Sequence, residues 1–238
     1  MKSILAALAI AVSTSVAGAS PAILVFSKTA GFRHDSIPDG IAMLWRIAGE
    51  EKWAIEATED AAAFTAENLA RFDAIVFLST TQDVLTDEQM AAMRDHLRSG
   101  RGFVGIHAAS DTEYGDEWYA RLIGAQFARH PKVQENVLTV HKDCGHPSIV
   151  HLGDTWTHTD EWYDFRAPVA NYVTPLLSTA ATTYPDGKPP GGDHPISWFH
   201  EFEGGRVFYT GLGHTSEAFS VPEFVTHVRE GLRWAMGK

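Results

Sequence analysis

Four short segments rich in apolar residues recur in the first half of the chain. They lie at residues 22–26, 53–57, 74–78 and 102–106, separated by polar and helix-like stretches. Near-continuous apolar runs of this length are typical of strands buried on both faces of a parallel sheet. The spacing therefore predicts four parallel strands within about 85 residues.

Helix signals lie between these strands. Residues 38–48 carry a proline in the first turn and apolar residues at helical spacing. Thr86 and Gln89 match the capping-box pattern, so a helix is predicted from there to Gly100. Strands alternating with helices favour an α/β fold with right-handed crossovers in a single doubly wound domain.

The second half of the chain is less regular, and no repeat or domain boundary divides it. A turn-rich segment at residues 185–192 indicates a loop. The predicted elements are a helix at 117–123, strands at 133–140 and 172–178, a hairpin of 196–199 with 206–210, and a helix at 222–236.

Composition narrows the functional classes. The 238 residues are 45% hydrophobic, which excludes a disordered or fibrous chain. The formal net charge is −11 and no basic run occurs, so nucleic acid is not an expected partner. Seven Trp and 12 His stand out, because aromatic rings and imidazoles line many sugar and metal sites and also fill ordinary cores.

Residues 1–19 have the pattern of a cleaved secretory signal. Lys2 provides the positive start, residues 4–12 are apolar, and Ala17-Gly18-Ala19 supplies the small residues before the cut. The apolar run is too short to span a bilayer. We expect a mature domain of residues 20–238, exported to the periplasm or secreted, with no membrane partner. Cys144 is the only cysteine, so the mature chain has no internal disulfide.

Candidate chemistry lies in the loops that follow the predicted strands, where open α/β sheets bind ligands. Arg33 and His34 follow the first strand. Gly105-Ile106-His107-Ala108-Ala109 has the spacing of a nucleophile elbow, with His107 where hydrolases carry Ser or Cys. An imidazole in that position suits an acid, a base or a metal ligand.

Further candidates are spread along the second half. They are His130, His158, Asp160, Glu161 and His214. No His-x-x-x-His or Cys-x-x-Cys spacing joins them, so a metal site would need ligands from separate loops. Cys144 follows a strand without an elbow motif, and it defines a minor alternative in which its thiol is a hydrolase nucleophile.

The chain resembles the ThuA-like trehalose utilisation family in a series of motifs spanning nearly the whole mature chain. They are Gly31-Phe32-Arg33-His34-Asp35-Ser36, Gly105-Ile106-His107-Ala108-Ala109-Ser110-Asp111-Thr112, Trp118-Tyr119, His130-Pro131, His146-Pro147, Asp160-Glu161-Trp162-Tyr163, Trp198 and Leu212-Gly213-His214. The resemblance implies a flavodoxin-like, class I glutamine amidotransferase-like fold. It also implies carbohydrate use alongside enzymes that make 3-keto-sugars. The elbow cysteine of that superfamily is absent, so glutaminase activity is not expected.

The leading hypothesis is an enzyme acting on an oxidised sugar or glycoside. His107 and Glu161 are the expected acid and base, and His214 is expected to complete the catalytic site. The expected substrate contacts are Arg33, His34, Asp111, Trp162, Tyr163 and Trp198.

Two alternatives remain open. In the first, His107, His130 and His214 bind a divalent metal such as Zn²⁺ or Mn²⁺, with Glu161 as a further ligand. In the second, the chain is a non-catalytic sugar-binding protein on a degenerate amidotransferase scaffold. The sequence leaves turnover and oligomeric state undecided.

Overall fold

A computed structural model describes residues 20–180, 186–187 and 193–238. The predicted signal at residues 1–19 and most of the predicted loop at 185–192 lie outside the described residues. The first half contains β1 Ala22–Phe26, α1 Ile37–Glu51, β2 Ala54–Thr58, α2 Ala66–Leu69, β3 Ala74–Leu78, α3 Asp87–Arg98, β4 Gly102–Ile106 and α4 Glu117–Ile123. The second half contains β5 Phe127–Arg129, β6 Gln134–Val140, β7 Thr155–Asp160, β8 Asp164–Phe165, β9 Thr174–Ala180, β10 Asp193–Phe202, β11 Gly205–Thr210 and α5 Pro222–Ala235.

Most of the described chain is organised around one nine-stranded sheet with the order β2-β1-β3-β4-β11-β10-β9-β6-β7. The first five strands in this order are parallel, and the pairings from β11 onward are antiparallel. The parallel part has the strand order of a flavodoxin-like doubly wound sheet. The predicted α/β class and single domain are confirmed.

The pattern of burial explains why the parallel and antiparallel parts of the sheet differ in sequence. All residues of β1, β3 and β4 are buried, whereas β6 and β7 alternate between buried and exposed positions. Fully buried parallel strands need apolar side chains on both faces, and an antiparallel edge leaves one face to water. The four predicted strands of the first half are present, although β2 begins one residue later than predicted.

Helices cover both faces of the parallel strands. Met43 of α1 and Val228 of α5 belong to one apolar core, and Met93 of α3 and Leu122 of α4 belong to the other. The predicted capping box at the start of α3 is present, with Thr86 accepting from the backbone N–H of Gln89. None of the helices in the described ranges is long and apolar enough to cross a membrane.

Strand β7 was not predicted from the sequence. Its residues Thr155–Asp160 mix threonines with Trp156, His158 and Asp160, and its buried positions include a histidine and an aspartate rather than aliphatic residues. The alternation is visible in the burial pattern, but the polar side chains on the buried face conceal it in the sequence.

Candidate functional site

Three loops at one edge of the sheet bring histidines together. His34 follows β1, His107 follows β4 directly, and His214 follows β11. Strands β4 and β11 pair in parallel, and β1 joins them through β3. Parallel strands present their carboxyl ends at the same edge, so the three side chains meet although far apart in sequence.

His107 occupies the predicted elbow. It begins a 3-10 turn over His107–Asp111 and has a left-handed backbone with φ 52°. Small neighbours permit this turn: a Cβ at Gly105 would lie 3.0 Å from the side chains of Ile123 and Tyr209. The Nδ1 atom of His107 lies 3.0 Å from the carbonyl oxygen of Gly211, so Nδ1 carries the proton and Nε2 presents its lone pair to the site.

Four polar groups surround the Nε2 atom of His107. The Nε2 of His34 lies 3.1 Å away, the Nδ1 of His214 3.2 Å, and the hydroxyl of Tyr163 3.0 Å. A carboxylate oxygen of Glu161, Oε2, lies 3.5 Å from the same nitrogen and 3.2 Å from the Nδ1 of His214. Three imidazoles and one carboxylate thus converge on a single buried point.

Asp160 fixes the backbone around this point. Its carboxylate accepts hydrogen bonds from the backbone N–H groups of Gly213, at 2.7 Å, and His214, at 3.0 Å. It also accepts from the N–H of Glu161 and contacts the Nε2 of His158. Asp160 is fully buried and joins the end of β7 to the loop that carries His214.

The surroundings separate the pKa values of the converging groups. Burial would raise the pKa of Glu161, but the neighbouring imidazoles of His107 and His214 outweigh it and bring the pKa to about 2. Burial lowers the pKa of His34 to about 3, with help from the neighbouring imidazoles of His107 and His214. At neutral pH Glu161 is therefore ionised and His34 is neutral.

The same electrostatics act on the two residues beside them. Burial opposes protonation of His214, but its hydrogen bond to Glu161 and the charge of that carboxylate raise its pKa overall. Burial alone would raise the pKa of Asp160, yet the hydrogen bond from His158 and the nearby imidazoles lower it. The site thus combines anionic carboxylates with one imidazole that favours its charged form.

A cavity of about 160 Å³ opens above the cluster. Its walls are Phe32, His34, Asp111, Phe127, His130, Glu161, Tyr163 and His214. His130 places its Nδ1 atom 2.7 Å from the outer carboxylate oxygen of Glu161, Oε1. On another wall, Asp111 accepts a hydrogen bond from the hydroxyl of Tyr114, and burial raises the pKa of the Asp111 carboxyl.

The cavity contains several of the residues predicted from the sequence. His34, Asp111, His130, Glu161, Tyr163 and His214 line it, and His107 lies beneath them. Arg33 is not in the lining; its side chain is half exposed and pairs with Glu59.

Trp162 and Trp198 are elsewhere. Both are fully buried, and their indole N–H groups donate to the carbonyls of Gln134 and Ile123. Neither side chain has an exposed ring face, so neither can stack on a sugar in this structure. Trp162 belongs to one apolar core of the protein and Trp198 to the other.

Phe32 and Phe127 provide the aromatic lining that sequence reasoning assigned to the tryptophans. Phe32 is 66% exposed, an unusual position for a large apolar side chain, and its ring packs edge-on against His34. The neighbouring Arg33-His34 motif was the available signal for Phe32. Cys144 is partly buried against the core and is not in the cavity lining.

Fold and site together define an α/β protein of the flavodoxin-like class, with a polar cavity at the carboxyl edge of its parallel strands. The ThuA family model, described as trehalose utilisation, matches residues 22–235. The chain belongs to this family, as its motifs indicated.

Solved structures give the same fold. A ThuA-like protein from Bacteroides uniformis ATCC 8492 is 21% identical, with a TM-score of 0.77 over 94% of this chain and 95% of that chain. A ThuA-like protein from Parabacteroides merdae ATCC 43184 is 18% identical, with a TM-score of 0.76 over 92% and 91% of the two chains.

A more distant likeness is to a β-galactosidase from Bacillus circulans sp. alkalophilus. It is 9% identical with a TM-score of 0.60, over 92% of this chain and 31% of that one. At this identity the likeness concerns the fold alone. No sequence among the curated proteins matches the chain.

Proposed function

We propose that this protein is an enzyme of carbohydrate metabolism that binds a small sugar in the cavity above His107 and transfers protons there. One observation carries the proposal: three imidazoles and the Glu161 carboxylate converge at the floor of a cavity at the carboxyl edge of the sheet. Membership of a trehalose utilisation family supplies the substrate class.

The arrangement suits proton transfer next to the carbonyl of an oxidised sugar. Glu161 faces the cavity between His130 and His214, and its outer oxygen, Oε1, beside His130, is the acceptor for a proton taken from substrate carbon. The electrons released move onto the sugar carbonyl oxygen. The N–H of one of the two imidazoles beside Glu161, His130 or His214, donates a hydrogen bond that stabilises the resulting oxyanion.

The aromatic walls favour a sugar over a more polar ligand. Phe32 and Phe127 offer apolar faces, while Asp111 and His130 offer hydrogen-bonding groups on the same cavity. Sugars combine apolar C–H faces with rings of hydroxyl groups, and sites with few polar groups on apolar walls bind small molecules.

Glutaminase chemistry is not part of the proposal. His107 takes the elbow position, and an imidazole there cannot form the thioester that an elbow cysteine forms.

Turnover of 3-keto-disaccharides by residues 20–238 tests the proposal, with His107→Gln and Glu161→Gln as variants. We expect kcat/KM to fall at least about 100-fold in each, because Glu161→Gln removes the proton acceptor and His107→Gln removes an imidazole that contacts both Glu161 and His214. His151→Gln is the matched control, because this exposed imidazole lies outside the cavity lining and hydrogen-bonds to the carbonyl of Glu223 in α5. Sugar binding without turnover would instead indicate a non-catalytic binding protein, and turnover unchanged in both variants would remove the proposed roles.

We also propose that residues 1–19 direct export and are then removed. The charged start, apolar run and Ala-Gly-Ala end support this. Mass spectrometry of the protein from its native cells is expected to find Ser20 at the amino terminus. Retention of Met1 would contradict the proposal.

A further inference from the structure

The Nε2 atom of His107 has more polar neighbours than a neutral imidazole can satisfy. Its Nδ1 proton is engaged by the carbonyl of Gly211, so Nε2 offers one lone pair and accepts one hydrogen bond. Yet His34, His214, Tyr163 and Glu161 all place a polar atom within 3.5 Å of it. Hydrogen bonds alone leave most of these contacts unexplained.

Four of the six separations among these ligand atoms match the edges of a metal coordination shell. Ligands about 2.0–2.1 Å from a tetrahedral ion lie about 3.3 Å from one another. The Nε2 of His107 lies 3.1 Å from the Nε2 of His34, 3.2 Å from the Nδ1 of His214 and 3.5 Å from Oε2 of Glu161. The separation between His214 Nδ1 and Glu161 Oε2 is 3.2 Å, and all four atoms lie within 4.8 Å of one another.

The negative charge of two buried carboxylates beside the cluster also favours binding of a cation there. Glu161 and Asp160 are adjacent buried carboxylates. Their ion-pair partners are histidines, and no Lys or Arg of the described ranges lies within salt-bridge distance of either. Buried carboxylates are expensive unless they are paired or bind a metal.

Hydrogen bonds with neighbouring groups orient these side chains. Metal ligands in proteins are oriented by such neighbours in the same way. The Nδ1–H of His107 donates to a backbone carbonyl, which fixes its tautomer. Asp160 anchors the backbone of His214, and His130 binds the carboxylate oxygen of Glu161 that faces away from the cluster.

We infer that His34, His107, His214 and Glu161 form a mononuclear site for a first-row divalent ion, with Zn²⁺ the best match to three imidazoles and one carboxylate. This set differs from the one expected from the sequence: His34 is a ligand, and His130 orients Glu161 from outside the shell.

The cavity determines where a further ligand enters. His34, Glu161 and His214 line it, whereas His107 lies beneath, so a sugar oxygen entering from the open side would be a fifth ligand to the ion. The ion there polarises a sugar carbonyl or hydroxyl oxygen. The polarisation of a sugar oxygen rests on the proposed function, whereas binding of the ion does not depend on it.

The test is Zn²⁺ binding to chelator-treated residues 20–238 without an affinity tag, by elemental analysis and calorimetric titration with ZnCl₂. We expect one ion per chain and a rise in Tm on adding Zn²⁺. His34→Gln and His214→Gln are expected to weaken binding at least about 100-fold and to abolish the rise in Tm.

Two further variants make the ligand set specific. His130→Gln removes only an outer partner and is expected to weaken binding about 10-fold, at the low end for such groups. His151→Gln lies on the surface and is expected to bind as the unaltered protein does. Absence of stoichiometric Zn²⁺, or a larger loss in His130→Gln than in His34→Gln, would overturn the assignment.

The two proposals fail in different ways. Turnover that depends on His107 and Glu161 in a protein that binds no ion would leave the proposed function intact and remove the metal. Stoichiometric Zn²⁺ with the expected variant pattern, but no sugar turnover, would do the reverse.

Discussion

Asp160 and Glu161, two adjacent carboxylates at the end of β7, have different roles. Asp160 is fully buried and accepts hydrogen bonds from the backbone of the loop that carries His214. Glu161 is the next residue, and its carboxylate contacts His107, His130 and His214 at the cavity. Asp160 positions the loop, and Glu161 faces the cavity.

Asp160→Asn tests this positioning role. An asparagine side chain has one acceptor oxygen, whereas both oxygens of Asp160 accept hydrogen bonds, so at least one buried N–H loses its partner. We expect the free energy of unfolding to fall by about 1–3 kcal/mol in urea titrations, with weaker Zn²⁺ binding. Thr157→Val, at an exposed position of the same strand, is the control and should change stability by less than about 0.5 kcal/mol. Unchanged stability and unchanged Zn²⁺ binding in Asp160→Asn would contradict the role.

At the residue scale, the sequence was informative where backbone geometry restricts side-chain size. The small residues around His107 predicted a sharp turn, and the structure has that turn with a positive φ. The tryptophans misled because an aromatic ring serves a core as well as a sugar site, and sequence does not reveal which of its faces is exposed. Phe32 is the opposite case, an apolar residue in a polar loop that remains exposed.

At the element scale, the parallel strands were predictable and the antiparallel edge was less so. Strands β1, β3 and β4 are buried on both faces, so each is a run of apolar residues with matching bounds in sequence and structure. Strand β7 carries a buried His158 and Asp160 that hydrogen-bond to each other, and this pairing replaces the apolar pattern of a strand. The strand that delivers Glu161 was therefore among the elements that periodicity did not detect.

At the scale of the whole molecule, buried neutral histidines link stability to pH. His227 of α5 is fully buried between Ser197 and the carbonyl of Ser148, and burial lowers its pKa from 6.5 to about 3. Between these values the unfolded chain binds a proton that the folded chain does not. The free energy of unfolding therefore falls as the pH drops from about 6.5 towards 3.

His227→Gln isolates this contribution. Between pH 4 and 6 we expect the slope of unfolding free energy against pH to decrease by about 1.4 kcal/mol per pH unit, the value for one proton. The variant is also expected to be less stable at pH 7, where two buried hydrogen bonds are altered, but the slope is the diagnostic quantity. Urea unfolding at several pH values measures it, with Thr157→Val, which changes an exposed residue and removes no titratable group, as the control. An unchanged slope in His227→Gln would show that this imidazole is protonated in the folded state as easily as in the unfolded one.

The sequence pattern was enough to predict the fold class, the family and the loops that carry most of the site residues. It could do so because burial of parallel strands and the tight elbow restrict residue types locally. Only the folded sheet shows which histidines meet, since His34, His107 and His214 follow strands β1, β4 and β11, whose ends lie close together although more than 70 residues separate each histidine from the next along the chain. It also placed Glu161 among them through the backbone contacts of Asp160, which join residues more than 50 positions apart. Spacing along the chain records local geometry, whereas a site assembled from separate strand ends exists only once the sheet has formed.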